Sequence, residues 1–413
     1  MGNKNIRPMT RTLQQALNRT SRKPDSKALI PVIVQFQSPD HRKQAADLKK
    51  RIAGHAYREK GHLWVIRGWS AHVSRACLKR ICACKGVSKV YMDRRNKALL
   101  NIATPSVGGT AARKKGITGK GVTIAILDTG IAAHPDLTKP GNRIAGFKDF
   151  IHGRSKPYDD NGHGTHVAGD AAGNGYASKG KYRGIAPQAK LVGVKVLDQN
   201  GSGFDSTIIR GIQWCITNRK RYGIRVLNLS LGKPATERWT RDPLCRAIDK
   251  AVKAGIVVTV AAGNEGPGPR TISSPGITPS AITVGAVNDR RTIRQSDDRM
   301  AGFSSRGPAY GGIKKPDLVA PGVGIVSLRV PGSLFDRTVP RGKLGKYYIR
   351  LSGTSFSSPL TAGAAALLLQ KQPGLRPSQV KQRLKAKTFP LPFGQYARGS
   401  GELNVRFAAG KKR

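Results

Sequence analysis

Gly121-Val122-Thr123-Ile124-Ala125-Ile126-Leu127-Asp128-Thr129-Gly130 is the stretch whose reading decides the fold. A short apolar run with β-branched residues reads as a strand buried on both faces, the kind found in parallel sheets. It delivers Asp128 at its carboxyl end, where open α/β sheets place their active sites. Further on, strand-like segments at 191–197 and 255–261 alternate with helical patterns at 206–218 and 242–254. That alternation predicts a three-layer α/β domain with a parallel sheet over residues 121–408.

Asp128, His163 and Ser355 each centre a short motif, and the three follow one another along the chain. The second reads Asn161-Gly162-His163-Gly164-Thr165-His166-Val167-Ala168-Gly169, and the third Ser352-Gly353-Thr354-Ser355-Phe356-Ser357-Ser358-Pro359. A serine hydroxyl is a poor nucleophile at neutral pH. It needs a histidine to take its proton and a carboxylate to fix that histidine's tautomer. Ala261-Ala262-Gly263-Asn264-Glu265-Gly266 adds an amide side chain able to donate to a tetrahedral oxyanion. After Ser355 a nearly all-apolar run through Leu369 reads as a buried helix that begins at the nucleophile, with its dipole favouring developing negative charge.

Taken singly, each motif is equally a turn aspartate or a helix cap. Competing chemistries fail on spacing. A lone Asp-Thr-Gly cannot form an aspartic dyad, and His163 and His166 lack the separation and the glutamate of a zinc protease. Ser357 stands where a nucleophile elbow needs glycine.

The order Asp, His, Ser is the one subtilisin uses, and residues 115–408 resemble the subtilisin-like serine proteases, or subtilases. Phe303-Ser304-Ser305-Arg306-Gly307-Pro308 and Lys315-Pro316-Asp317-Leu318-Val319-Ala320-Pro321-Gly322 extend the likeness, and the stretch from Gly173 to Gly184 is similar to bacterial subtilases of the AprX type. The resemblance implies a serine endopeptidase. Ser355 would attack the scissile carbonyl, His163 serve as base and then acid, Asp128 orient His163, and Asn264 with the Ser355 N–H hold the oxyanion. It also implies that a peptide adds as a strand between Gly201-Ser202-Gly203 and Ser230-Leu231-Gly232. Ala262, Gly263 and Ser273 would line the primary pocket, with an apolar residue preferred before the scissile bond. Three departures stand out. Phe356 follows the nucleophile where methionine is common, and Ser273 replaces a glycine at the pocket floor. No cofactor is needed for the chemistry. The structural calcium of many relatives keeps only Asp136 as a weak candidate, because the loop near Asn174 is altered and hard cations want six to eight oxygens.

The chain has 413 residues and a formal net charge of +50. The excess is spread along it, with 23 basic and 5 acidic residues in the first hundred and 50 and 18 in the rest. Diffuse charge of this kind supports solubility and nonspecific attraction to polyanions. It motivates a rival from another class, a polyanion-binding protein on an inactive protease scaffold. No stretch suits a signal peptide or a membrane span. Cys77, Cys82, Cys84, Cys215 and Cys245 form no even disulfide framework. The expected location is therefore cytoplasmic, with release by a non-classical route as the alternative. Cys82 and Cys84, one residue apart, are a weak metal or redox signal beside the plainer reading of small helix residues.

Residues 1–28 are polar and basic without apolar period, and read as a disordered extension. Strand, helix, strand, strand, helix and strand follow at 29–36, 40–52, 62–67, 69–73, 75–84 and 87–92, the order of a split βαβ, ferredoxin-like module. In subtilases a module of that kind precedes the catalytic domain as an inhibitory propeptide, so residues 29–100 are expected to inhibit in cis and to be removed near Leu100-Asn101. A linker and the start of the mature chain occupy 101–120, and a basic tail 409–413.

Overall fold

The computed structural model describes residues 9, 10, 13, 29–93, 95–98 and 106–406, with 95–98 as backbone. The first unit contains β1 (Ile30–Phe36), α1 (His41–Ile52), β2 (Tyr57–Leu63), β3 (Gly68–Val73), α2 (Arg75–Ala83) and β4 (Val87–Met92). Its sheet is antiparallel in the order β2-β3-β1-β4. Asp40 and Ser74 cap the two helices through their side chains, accepting from Lys43 N–H and Cys77 N–H. Two expectations need correction here. The segment expected as a strand at 62–67 is strand only to Leu63. Trp64–Ile66 form a 3-10 turn, and Arg67 takes a left-handed conformation to re-enter the sheet. The N-terminal extension is also not wholly outside the fold. Leu13 is fully buried in the core of this unit, and Thr10 N–H donates to Val90 O at 3.1 Å.

The main sheet runs β14-β13-β12-β10-β6-β8-β7, with β15 beside β13. Its members are β6 (Thr123–Asp128), β7 (Ile144–Asp149), β8 (Lys190–Lys195), β10 (Ile224–Leu229), β12 (Val257–Ala261), β13 (Ile282–Asn288), β14 (Arg299–Met300) and β15 (Leu318–Pro321). All pairs are parallel except β13 with β14. The alternation of β6 explains the three layers. Ile124 and Ile126 point into one core with Val167, Ala168, Leu360 and Leu367, whereas Ala125 and Leu127 point into the other with Ile208, Ile212, Leu244 and Ile248. The first set lies on α3 (His163–Ala172) and α6 (Thr354–Lys371), the second on α4 (Asp205–Thr217) and α5 (Pro243–Lys253).

The linker is more ordered than its composition suggests. Gly109–Lys114 form a helix, and Val107 and Ala112 are fully buried in the main core. No helix among the described residues is long and apolar enough to cross a membrane. The five cysteines are free thiols. Burial pushes Cys77 and Cys82 up to about 11, which disfavours the reactive thiolate. The expected basic tail lies outside the described residues.

Candidate active site

Asp128 ends β6 and His163 begins α3, and two glycines bring these elements together. A Cβ on Gly164 would stand 2.2 Å from Gly130 O and 3.0 Å from the Asp128 Cβ, so only glycine lets the helix start against the strand end. The result is a contact of 2.6 Å between His163 Nδ1 and Asp128 Oδ1, with both side chains fully buried. Asp128 Oδ1 also accepts the Thr129 N–H at 2.7 Å. The carboxylate can hold the imidazole with Nδ1 protonated, leaving Nε2 as the basic nitrogen.

Asp159 organises both loops. Its two oxygens accept five hydrogen bonds, from Thr129 Oγ1, Asn161 N, Gly162 N, Thr165 N and Thr165 Oγ1, at 2.7 to 3.2 Å. Sequence reading missed this residue, although the turn-forming run Asp159-Asp160-Asn161-Gly162 was its signal.

Ser355 is the second residue of α6, after Gly353 with φ of 148°. Its hydroxyl donates to Ser230 O at 3.2 Å, and Ser230 Oγ donates back to Ser355 O at 2.5 Å. Asn228 Nδ2 donates to Ser230 Oγ at 2.9 Å, and Ser358 Oγ donates to Asn228 Oδ1 at 2.7 Å, which ties the start of α6 to the end of β10. Phe356 is fully buried, with its ring 5.3 Å from that of His163 and 4.2 Å from that of His166. His166 itself is turned to Asp170, at 3.0 Å, and belongs to this packing. Burial raises Asp170, and the neighbouring imidazole opposes the rise.

The side-chain oxygen of Asn264 accepts from Thr354 N–H and from Thr354 Oγ1, at 3.0 and 3.1 Å. A backbone N–H can only donate, so the amide is fixed with its oxygen toward α6 and its NH2 group turned the other way.

The proposed binding segments meet across one strand. β5 (Arg95–Ala98) lies between β9 (Ser202–Phe204) and β11 (Leu231–Gly232), antiparallel to both. Asn96 is opposite Gly203, Lys97 opposite Ser202 and Gly232, and Ala98 opposite Leu231. Gly201 forms the preceding turn with φ of 70°. Ser273 N–H donates to Ala262 O, and Gly263 O accepts from Ser305 N–H, so Ala262, Gly263 and Ser273 form one wall. A residue not foreseen, Glu265, joins it: its Oε2 accepts from Ser273 Oγ, Ser305 Oγ and Asn264 N at 2.9 to 3.1 Å.

Asp136 is placed differently from a metal ligand. Its carboxylate oxygens accept from Ala177 N–H and from the Tyr348 hydroxyl, both at 2.8 Å. Its backbone carbonyl receives Arg143, whose guanidinium also donates to Ala172 O at 2.7 Å and Ala189 O at 3.0 Å. A cation on the chain already gathers these carbonyls, and the residues as arranged do not fit calcium, which needs six to eight free oxygens. No metal-competent cluster of His, Cys, Asp or Glu occurs among the described residues.

Comparison with known proteins identifies the family and the fold. The peptidase S8 family model, described as the subtilase family, matches residues 119–410. The chain is 47% identical to serine protease AprX of Bacillus subtilis (strain 168) over 327 residues, 77% of this chain and 73% of that protein. It is 40% identical to subtilisin E of the same organism over 303 residues, covering 72% and 68% respectively. A solved structure, fervidolysin from Fervidobacterium pennivorans, a keratinolytic enzyme related to subtilisin, matches with a TM-score of 0.72 at 22% identity. The match covers 94% of this chain and 62% of that one, and is a likeness of fold.

Proposed function

Since the chain belongs to the subtilase family and is a subtilisin-like serine protease, we propose that it is an endopeptidase made as a self-processing zymogen, with Ser355, His163 and Asp128 as its catalytic residues. The observation that carries this reading is β5, held by main-chain pairing on both sides in the cleft beside Ser355. An extended peptide bound this way is recognised through its backbone whatever its sequence, while alternate side chains enter pockets.

The chemistry follows from the groups at hand. Ser355 Oγ attacks the scissile carbonyl carbon as His163 Nε2 takes the hydroxyl proton, and Asp128 stabilises the imidazolium. The oxyanion lies between the Asn264 NH2 group and the Ser355 N–H, at the positive end of α6. Collapse expels the amine, which leaves with the proton from His163. Water then releases the acyl group by the same steps in reverse.

The first unit, a ferredoxin-like module at residues 29–100, acts as the inhibitor in cis. The cleavage expected near Leu100-Asn101 lies outside the described residues. An apolar residue such as leucine is preferred before the scissile bond over a large aromatic, because Ser273, its hydroxyl on Glu265, replaces glycine at the floor of the primary pocket and makes it shallower. The inactive-scaffold rival is not favoured, since the His163–Asp128 contact is in place.

One experiment tests the proposal. The wild-type chain should process itself, start near Asn101 by N-terminal sequencing, and take up a sulfonyl fluoride at Ser355 alone. The full-length Ser355→Ala chain should stay intact when pure. Maturation of that variant would remove the self-processing part, and absence of label on processed wild type would remove the catalytic assignment.

A further inference from the structure

Between the segment 140–143 and the loop 174–183, the structure has a solvent-open cavity of about 670 Å³, within the size range of small-ligand sites. Arg113, Arg143, Lys179 and Arg183 line it, and no carboxylate does. The guanidinium of Arg143 is spent on the three carbonyls of Asp136, Ala172 and Ala189; the buried Asp136 carboxylate behind it attracts its charge, and no carboxylate stands in the lining itself. Arg113, Lys179 and Arg183 make no ion pair with a carboxylate among the described residues, and Arg113 and Arg183 are close enough for their charges to oppose each other.

The arrangement is built, not merely a basic surface. Arg183 Nε donates to Asn174 O at 2.9 Å. The loop closes around this side chain through glycines: a Cβ on Gly175 would stand 2.7 Å from Arg183 Cγ, and one on Gly180 2.5 Å from its Nη2. A guanidinium held in one place has already lost the rotamer freedom that binding would otherwise cost. At the rim, Tyr176 is 55% exposed, a large ring left in water beside four cations.

We propose that this cavity binds a small multivalent phosphate anion, held by Arg113, Lys179 and Arg183 against the charge of Arg143. Guanidinium groups match phosphate oxygens in pairs, which a lone lysine surface does not. The anion is either an inorganic polyphosphate or the phosphate chain of a nucleotide, whose base would lie on Tyr176.

Calorimetry on the full-length Ser355→Ala chain, which cannot digest itself, decides the matter with inorganic triphosphate as the probe. The expected result is saturable binding of one anion per chain. The Arg113→Gln/Lys179→Gln double variant, which keeps the structural bond of Arg183, should weaken it at least tenfold. Lys220→Gln/Arg221→Gln removes the same charge from an exposed helix elsewhere and should change it less than twofold. ATP binding more tightly than triphosphate, by a margin lost in Tyr176→Ala, assigns the anion to a nucleotide. Equal affinities assign it to the phosphate chain alone. Absence of saturable binding, or equal weakening in the two double variants, overturns the site and leaves only the diffuse attraction of a chain with net charge +50.

Discussion

The side-chain oxygen of Asn264 accepts the backbone N–H of Thr354 at 3.0 Å, so the residue before Ser355 sets which way the amide points. Removing the amide in Asn264→Ala should lower kcat by about 10²–10³-fold with little change in KM, the range known for loss of the corresponding donor in subtilisin. Thr354→Val keeps the N–H but loses the hydroxyl bond, and should give a smaller loss of kcat, also with KM unchanged. Steady-state kinetics on a peptide substrate read both; a rise in KM alone would place Asn264 in ground-state binding.

Asp93 is expected to make docking of the first unit sensitive to pH. Its carboxyl is buried and accepts the Ser206 N–H at 2.9 Å, at the start of α4. Burial, and then the neighbouring Asp205, push it up to about 7, with Lys233 opposing; Lys60 and Arg210 also face it. The docked state therefore binds a proton more tightly than the free one. Docking is strongest below the free value of 3.8 and weakens as pH rises toward 7. Activity should emerge from the zymogen faster at pH 8 than at pH 5, and Asp93→Asn should remove most of that difference. An unchanged pH profile in the variant would discard Asp93 as the group responsible.

Asp298 and Glu402 are both fully buried and interact with each other. Burial is the main force raising each above the ordinary carboxylate range; in Glu402 the hydrogen bond it shares with Asp298 and then the repulsion between them add to the rise, whereas in Asp298 the same hydrogen bond opposes it. Raised carboxyls contribute stability at low pH that is lost as pH climbs through their folded values. The melting temperature should fall between pH 6 and pH 9, and fall less in Glu402→Gln. Parallel melting curves would show that the pair stays protonated throughout or is solvated.

Phe356 packs on His166 and His163 with no exposed surface. Peroxide converts a methionine thioether into a polar sulfoxide, and phenylalanine has no such chemistry. Wild type should keep its activity in peroxide where Phe356→Met loses it. Equal rates of loss would point to another susceptible residue.

What could be read from the sequence was what repeats along it. Ile124–Leu127 and, after Ser355, the run from Leu360 to Leu369 are nearly all apolar, so burial was legible there, and the site residues beside them followed. Helix ends in the main domain lay within a residue of expectation at Asp205–Thr217 and Pro243–Lys253. Leu13 was missed because Met9, Leu13 and Leu17, four apart, are too few apolar residues to stand out in a polar, basic segment, and the cluster Leu13 joins is built from residues distant in sequence. The pairing of β5 was hidden for a related reason: Arg95-Asn96-Lys97-Ala98 has no strand pattern, and its partners are the backbones of Ser202–Phe204 and Leu231–Gly232. Glu265 and Asp159 act through hydroxyls and N–H groups brought in by folding, which no local motif spells out.

Because Asp159 takes donors from both the Thr129 side and the Asn161–Thr165 side, the loops bearing Asp128 and His163 share one anchor. Thermal motion is then expected to carry the two side chains together, with their separation varying less than the position of either loop. Since a misplacement of about 1 Å can cost roughly 10²-fold in rate, a carboxylate outside the Asp128–His163 pair would set how steady the proposed catalytic geometry is.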